Sequence, residues 1–105
     1  MVNKYSPEEC ETLDELRVQI DAIDEEIISL LTSRFGYTCS AHRFKTNEYE
    51  IRDPERVERV LEKVKCNAIK IGFDQNVTQK VYEIVIQYCI EEQLKIFNSI
   101  KTKKY

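Results

Sequence analysis

The stretch Leu13–Lys45, LDELRVQIDAIDEEIISLLTSRFGYTCSAHRFK, decides the fold. Its apolar residues Leu13, Leu16, Ile20, Ile23, Ile27, Leu30 and Leu31 recur every three or four positions, the spacing that lines one face of an α-helix. No proline interrupts the run. Gly36 costs about 1 kcal/mol relative to alanine inside a helix, a modest penalty against so long a face. The pattern resumes at Tyr37, Ala41 and Phe44. Thr12 and Glu15 form a capping-box pair at the start. The reading is one helix over 13–45.

Working outward, Asp53-Pro54-Glu55 opens a second helix: a capping aspartate, a proline at the first helical position and an acid favourable to the helix dipole. Its stripe is Val57, Val60, Leu61, Val64 and Ala68, and Gly72 marks its end. Asp74 caps a third helix carrying Val77, Val81, Ile84, Val85, Tyr88, Cys89, Leu94, Ile96 and Phe97. Those apolar positions cover more than one side, so this helix is expected to be sandwiched. The 105 residues are read as a single all-α domain over 1–105, with a core of about 7–97 and a frayed tail over 98–105.

Composition agrees. Two glycines and two prolines leave little material for the turns that strands need. Charged residues make up 33% of the chain with both signs mixed, and the net charge of -3 is not a footprint for nucleic acid. No segment approaches the ~20 apolar residues that cross a bilayer, and the opening MVNKYSPEEC lacks the apolar centre of a secretory signal, so the expected location is cytoplasmic with no membrane partner. Cys10, Cys39, Cys66 and Cys89 lie far apart with one histidine, His42, in the chain. They read as reduced packing thiols, with no metal site expected.

Helix length carries a further expectation. A helix over 13–45 spans roughly 50 Å at 1.5 Å per residue, whereas a compact chain of this size is about 33 Å across. Its apolar stripe continues along the overhang and needs a cover. A second copy supplies one, with the long helices antiparallel about a two-fold axis: an intertwined homodimer.

Cations interrupt the stripe at Arg34 and Lys45, eleven residues apart and therefore about 16 Å apart on one face of such a helix. Long cations on a core-facing stripe are costly unless they meet an anion, although their stems can cover apolar surface while the heads reach water. Arg17 lies about 25 Å from Arg34 along the same helix and cannot share a small-molecule site with it in one chain. In an antiparallel pair, Arg17 of the second copy can approach. Gln93 falls on the same side of the third helix as Tyr82, Ile86, Cys89 and Phe97, where a primary amide requires a backbone, water or ligand partner. Arg56 flanks the second helix's stripe, with a surface role as the other reading. Arg43, Arg52 and Arg59 read as surface charges.

The run LDELRVQIDAIDEEIISLLTSR, followed by RFK and IRDPERV, resembles the all-helical chorismate mutase family over about Pro7 to Phe97. PEEC, AHRFK, PERV and IEEQLKIF are similar in content and order to its isochorismate-pyruvate lyase branch. The resemblance implies the type II fold, a three-helix chain with a very long first helix in an intertwined homodimer with two shared sites. It implies a small dicarboxylate substrate and no cofactor. Arg17 of one chain with Arg34 and Lys45 of the other would bind the carboxylates and the ether oxygen, Gln93 would donate to that oxygen, and Arg56 would support a carboxylate. The segment 46–52 would be a loop over the site. Val57 and Cys89 stand where the family's mutases usually carry glutamate and serine, which hold the ring hydroxyl of chorismate. Their replacement places the lyase reading ahead of the mutase reading, while Asp53 retains a mutase-like residue unless it mainly caps its helix. A non-catalytic dimerisation or regulatory module is the alternative of another class.

Overall fold

The computed structural model describes residues 6–103, with backbone alone over 101–103. A 3-10 turn at Pro7–Glu9 leads into α1 (Leu13–Ser40), a second 3-10 turn (Ala41–Phe44), α2 (Glu48–Arg52), α3 (Pro54–Ile71) and α4 (Gln75–Lys103). No strand occurs among the described residues.

The chain forms two compact units, divided between Tyr37 and Thr38. In the first, Ser6 donates its N–H and hydroxyl to Glu9 Oε1 at 3.2 and 2.8 Å, and these bonds hold the Glu9 carboxyl below its ordinary range. Thr12 Oγ1 then accepts from the Glu15 N–H at 3.1 Å, and Glu15 Oε2 accepts from the Thr12 N–H at 3.3 Å. This is the reciprocal cap expected for α1. No residue of α1 is buried: Leu13, Ile20, Ile27, Leu30 and Leu31 are all exposed in the single chain.

In the second unit α1 ends earlier than its apolar spacing predicts. The helix stops at Ser40, and Lys45 is extended (φ −121°, ψ 141°) with its N–H on His42 O at 3.2 Å. Two local groups compete with helix continuation. Thr46 donates its N–H and hydroxyl to Glu50 Oε1, each at 2.6 Å, and Asn47 Oδ1 accepts from the Glu50 N–H at 2.8 Å. Glu50 is held below the usual carboxylate range by the Thr46 hydroxyl first, then by the Thr46 N–H, with the Lys45 ammonium adding to it. The apolar residues that extended the pattern are not core positions either, since Tyr37 is 84% and Phe44 78% exposed. Arg34 and Lys45 therefore do not share one helical face.

The segment expected as a loop over 46–52 contains α2, and α2 packs on α4. It does so through Ile51, which is 1% exposed. Asp53 closes α2 and opens α3 at once. It is left-handed (φ 39°), its N–H donates to Tyr49 O at 2.9 Å, and its Oδ1 accepts from the Arg56 N–H at 3.3 Å. Aspartate tolerates that conformation better than most side chains. The left-handed Gly72 (φ 87°) ends α3, with its own N–H and that of Phe73 on Ala68 O, each at 2.9 Å. Asp74 Oδ1 caps α4 through the N–H groups of Asn76 and Val77 at 2.8 and 3.1 Å.

The apolar stripe of α3 turns inward against α4, with Val57, Val60, Leu61 and Val64 half-buried and Ala68 buried. One face of α4 carries buried Ile86, Cys89 and Gln93, while Val77, Val81, Ile84 and Tyr88 on another are exposed. The backbone of α4 is helical to Lys103, and 104–105 of the expected tail lie outside the described residues.

Two substitutions test this packing by urea unfolding. Ile51→Ala lowers stability by about 2–4 kcal/mol, because it empties the one anchor of α2. Asp53→Ala lowers it by about 1–2 kcal/mol through loss of the cap, whereas Asp53→Asn retains most of the stability.

Candidate functional site

The polar centre of the second unit lies on α4. Gln93 is 5% exposed, beside Cys89 one turn earlier, also 5% exposed, and Ile86. Tyr82 and Phe97, on the same side, are half-buried. A buried amide left unpaired costs about 1–3 kcal/mol. Lys45 meets the requirement: its Nζ donates to Gln93 Oε1 at 3.5 Å. An ammonium only donates, so the amide must turn its oxygen toward Lys45. Its two N–H groups are then directed away from Lys45.

Lys45 reaches Gln93 because α1 has already ended. The 3-10 turn and the extended Lys45 redirect the chain, and α2 fastens it to α4 through Ile51. Lys45 is half-buried, lies in the field of Glu50, and carries its charge at the edge of the apolar wall.

Cys89 takes a hydrogen bond at its Sγ from the Thr38 hydroxyl at 3.3 Å, in the last turns of α1. Thr38 was not singled out from the sequence. It follows Leu31 by seven residues and so continues that face, which was the available signal. Ile51 was missed as well; five residues are too few to show a period, and only the Asn47–Glu50 capping pair marked the helix.

The other candidates are distributed as follows. Asp53 and Arg56 sit at the start of α3, the Asp53 carboxylate engaged in the cap and Arg56 exposed. Val57 is half-buried on the inner side of α3. Arg17 is exposed and Arg34 half-buried on α1, about 25 Å apart along its axis, so a single α1 does not bring them to one small-molecule site. Arg43 is exposed, stacked 5.2 Å over the Phe44 ring with its Nε on Ser40 O at 3.3 Å; Arg52 and Arg59 are exposed too. Among the described residues, no group of three His, Cys, Asp or Glu side chains is placed to hold a metal ion. No helix among them is long and apolar enough to cross a membrane.

What this arrangement can do is electrostatic. A fixed cation and amide N–H groups are donors aimed from a partly dry wall, suited to an oxygen that gains negative charge.

Comparison with known proteins supplies the context. The family profile described as chorismate mutase type II matches residues 16–94. The chain is 33% identical over 96 residues to the isochorismate pyruvate lyase of Pseudomonas aeruginosa, spanning 91% of this chain and 95% of that protein. It is 28% identical over 79 residues to the chorismate mutase of Methanocaldococcus jannaschii, spanning 74% and 80%. It is also 34% identical over 90 residues to the bifunctional chorismate mutase/prephenate dehydratase of Aquifex aeolicus, spanning 82% of this chain and 25% of that one.

Proposed function

This chain belongs to the chorismate mutase type II family of enzymes, and from that premise we propose that it acts chiefly on isochorismate, eliminating pyruvate to leave salicylate, with rearrangement of chorismate to prephenate as a slower side activity. The observation that carries the reading is the Lys45–Gln93 pair. Both reactions are concerted: a carbon–oxygen bond breaks as a hydrogen moves or a carbon–carbon bond forms, and negative charge gathers on the ether oxygen. Neither needs an acid–base pair. Lys45 and the Gln93 N–H groups meet that oxygen, and binding holds the side chain folded over the ring. Arginines suit the two carboxylates because their planar forks bind both oxygens of each.

Those arginines come from two chains. The exposed apolar residues of α1, and Val77, Val81, Ile84 and Tyr88 of α4, support a second copy as their cover. An antiparallel crossing at the middle of α1 sets residue 17 of one copy opposite residue 36 of the other, about 3 Å along the axis from Arg34. Arg17 of one subunit then approaches Arg34 of its mate, and by the family resemblance Lys45, Gln93 and Arg56 would serve the same substrate.

Isochorismate is preferred over chorismate on two grounds. The Pseudomonas relative named for the lyase aligns over nearly its full length. Val57 and Cys89 also offer little to a ring hydroxyl where the family's mutases usually present glutamate and serine. Asp53 does not weigh against this, because its carboxylate caps α3. The second reading is a primary chorismate mutase, favoured by the relatives of that name. The enzyme is placed in the cytoplasm.

Incubation with each substrate separately decides between them. Salicylate and pyruvate should form from isochorismate with a higher kcat/KM than prephenate from chorismate. Prephenate alone selects the mutase reading, and no turnover of either selects a non-catalytic dimer module. Lys45→Ala should lower kcat by about two orders of magnitude or more with the oligomer intact; a near-normal rate removes Lys45 from the chemistry. Sedimentation should show twice the 12.5 kDa chain mass. Mixed refolding of inactive Arg17→Ala and Lys45→Ala chains should recover about a quarter of wild-type activity, since half the dimers are mixed and each has one intact site. No recovery would mean that the sites are not shared.

A further inference from the structure

The contact that places Lys45 on Gln93 is a long one, 3.5 Å from Nζ to Oε1. A hydrogen bond of that length is weak, and a lysine reaches it through a flexible aliphatic stem. Such a bond does not hold its own lysine, so the backbone at residue 45 has to impose the direction. That backbone is extended, between a 3-10 turn and the short α2. Upstream, the Lys45 N–H is fixed on His42 O at 3.2 Å. Downstream, one carboxylate oxygen fixes the next residue: Glu50 Oε1 accepts both the Thr46 N–H and the Thr46 hydroxyl, each at 2.6 Å. The hydroxyl first, and then the N–H, hold the Glu50 carboxyl below its ordinary range, so the acceptor is charged and both bonds are charge-assisted.

We propose that Glu50 is a positioning residue, whose carboxylate clamps Thr46 and thereby holds the Lys45 ammonium against Gln93 for the reaction. Glu50 is exposed, so it adds no packing to the core. Nor does α2 depend on its carboxylate. The Glu50 N–H donates to the capping Asn47 Oδ1 at 2.8 Å, and Ile51 seats the helix on α4. The two short bonds to Thr46 are what the side chain contributes. Without them, Thr46 and the Lys45 backbone gain freedom between the His42 contact and the Asn47 cap. The ammonium then spreads over rotamers that lead to solvent, and the Gln93 carbonyl loses its donor.

The effect on turnover rests on the function proposed above; the placing of Lys45 does not. A misplaced cation costs rate more than affinity, since its charge acts on the oxygen chiefly as the bond breaks. The signature is a fall in kcat at nearly constant KM. The charge of Glu50 is separable from its acceptor role, because a glutamine keeps a carbonyl oxygen at the same reach.

The experiment compares the full chain with Glu50→Ala and Glu50→Gln, by steady-state kinetics and by competitive acetylation of lysines. Each protein is traced with light acetic anhydride beside free Nα-acetyl-lysine as reference, completed with the deuterated reagent after denaturation, and digested with trypsin. Peptide 44–52, FKTNEYEIR in the wild-type chain, carries Lys45 alone and reports it by mass spectrometry. In Glu50→Ala, half-buried Lys45 should label about threefold faster or more, and kcat should fall about tenfold or more with KM within about twofold. Glu50→Gln should keep kcat within about threefold of wild type and label Lys45 as wild type does. Buried Cys89 should stay closed to N-ethylmaleimide in both variants. Unchanged Lys45 labelling in Glu50→Ala overturns the clamp, and so does a Glu50→Gln as impaired as Glu50→Ala. Faster labelling with an unchanged kcat overturns the role in the reaction. Opening of Cys89 makes Glu50 a residue of the fold and overturns the proposal as well. A wild-type protein without turnover of isochorismate or chorismate defeats the proposed function instead, and the labelling of Lys45 still decides the clamp.

Discussion

A primary amide buried in the middle of α4 sets the condition that the second unit satisfies. Gln93 lies among apolar neighbours and far from either helix end, so no unsatisfied backbone group is at hand. Lys45 provides the partner, and it can do so only because the chain leaves the α-helix at Ser40. The Thr46–Glu50 and Asn47–Glu50 bonds hold the chain after that exit, and Ile51 seats it on α4. The break in α1, the self-capped α2 and the left-handed Asp53 are steps in one path that delivers a cation to an amide.

A concerted rearrangement or elimination draws on geometry and on stabilisation of one oxygen, and both can come from groups that never exchange a proton. Orientation matters more than strength in such a site. An ammonium fixing the carbonyl end of a glutamine decides which way its N–H groups face, as Lys45 does for Gln93. Family membership is consistent with that economy. Beside the pair, Val57 is half-buried on α3 and the Cys89 sulfur takes the Thr38 hydroxyl.

α1 shows a different balance. A 28-residue helix with no fully buried side chain has its local requirements met by caps and backbone bonds, while most of its apolar stripe stays exposed. Most helical stability in proteins comes from packing such a stripe.

Much of this was legible in the residues alone. The helical class, the Thr12–Glu15 box, the Asp53-Pro54 start of α3, its Gly72 end and the Asp74 cap depend on neighbours within a few positions, and local chemistry is what a sequence records. Gln93 was legible for the same reason, as a polar residue at an apolar position of a regular period. The end of α1, the helix at 48–52 and the partner of Gln93 were not. Periodicity extended α1 to Lys45 because Tyr37 and Phe44 are apolar, yet both face solvent; a pattern marks residues that could be buried and does not reveal whether anything is there to bury them. The residues thus determined which segments coil and which polar groups need partners. Only the tertiary structure decided where the chain turns and that Lys45 meets Gln93, because that contact joins positions 48 residues apart and depends on how α2 packs.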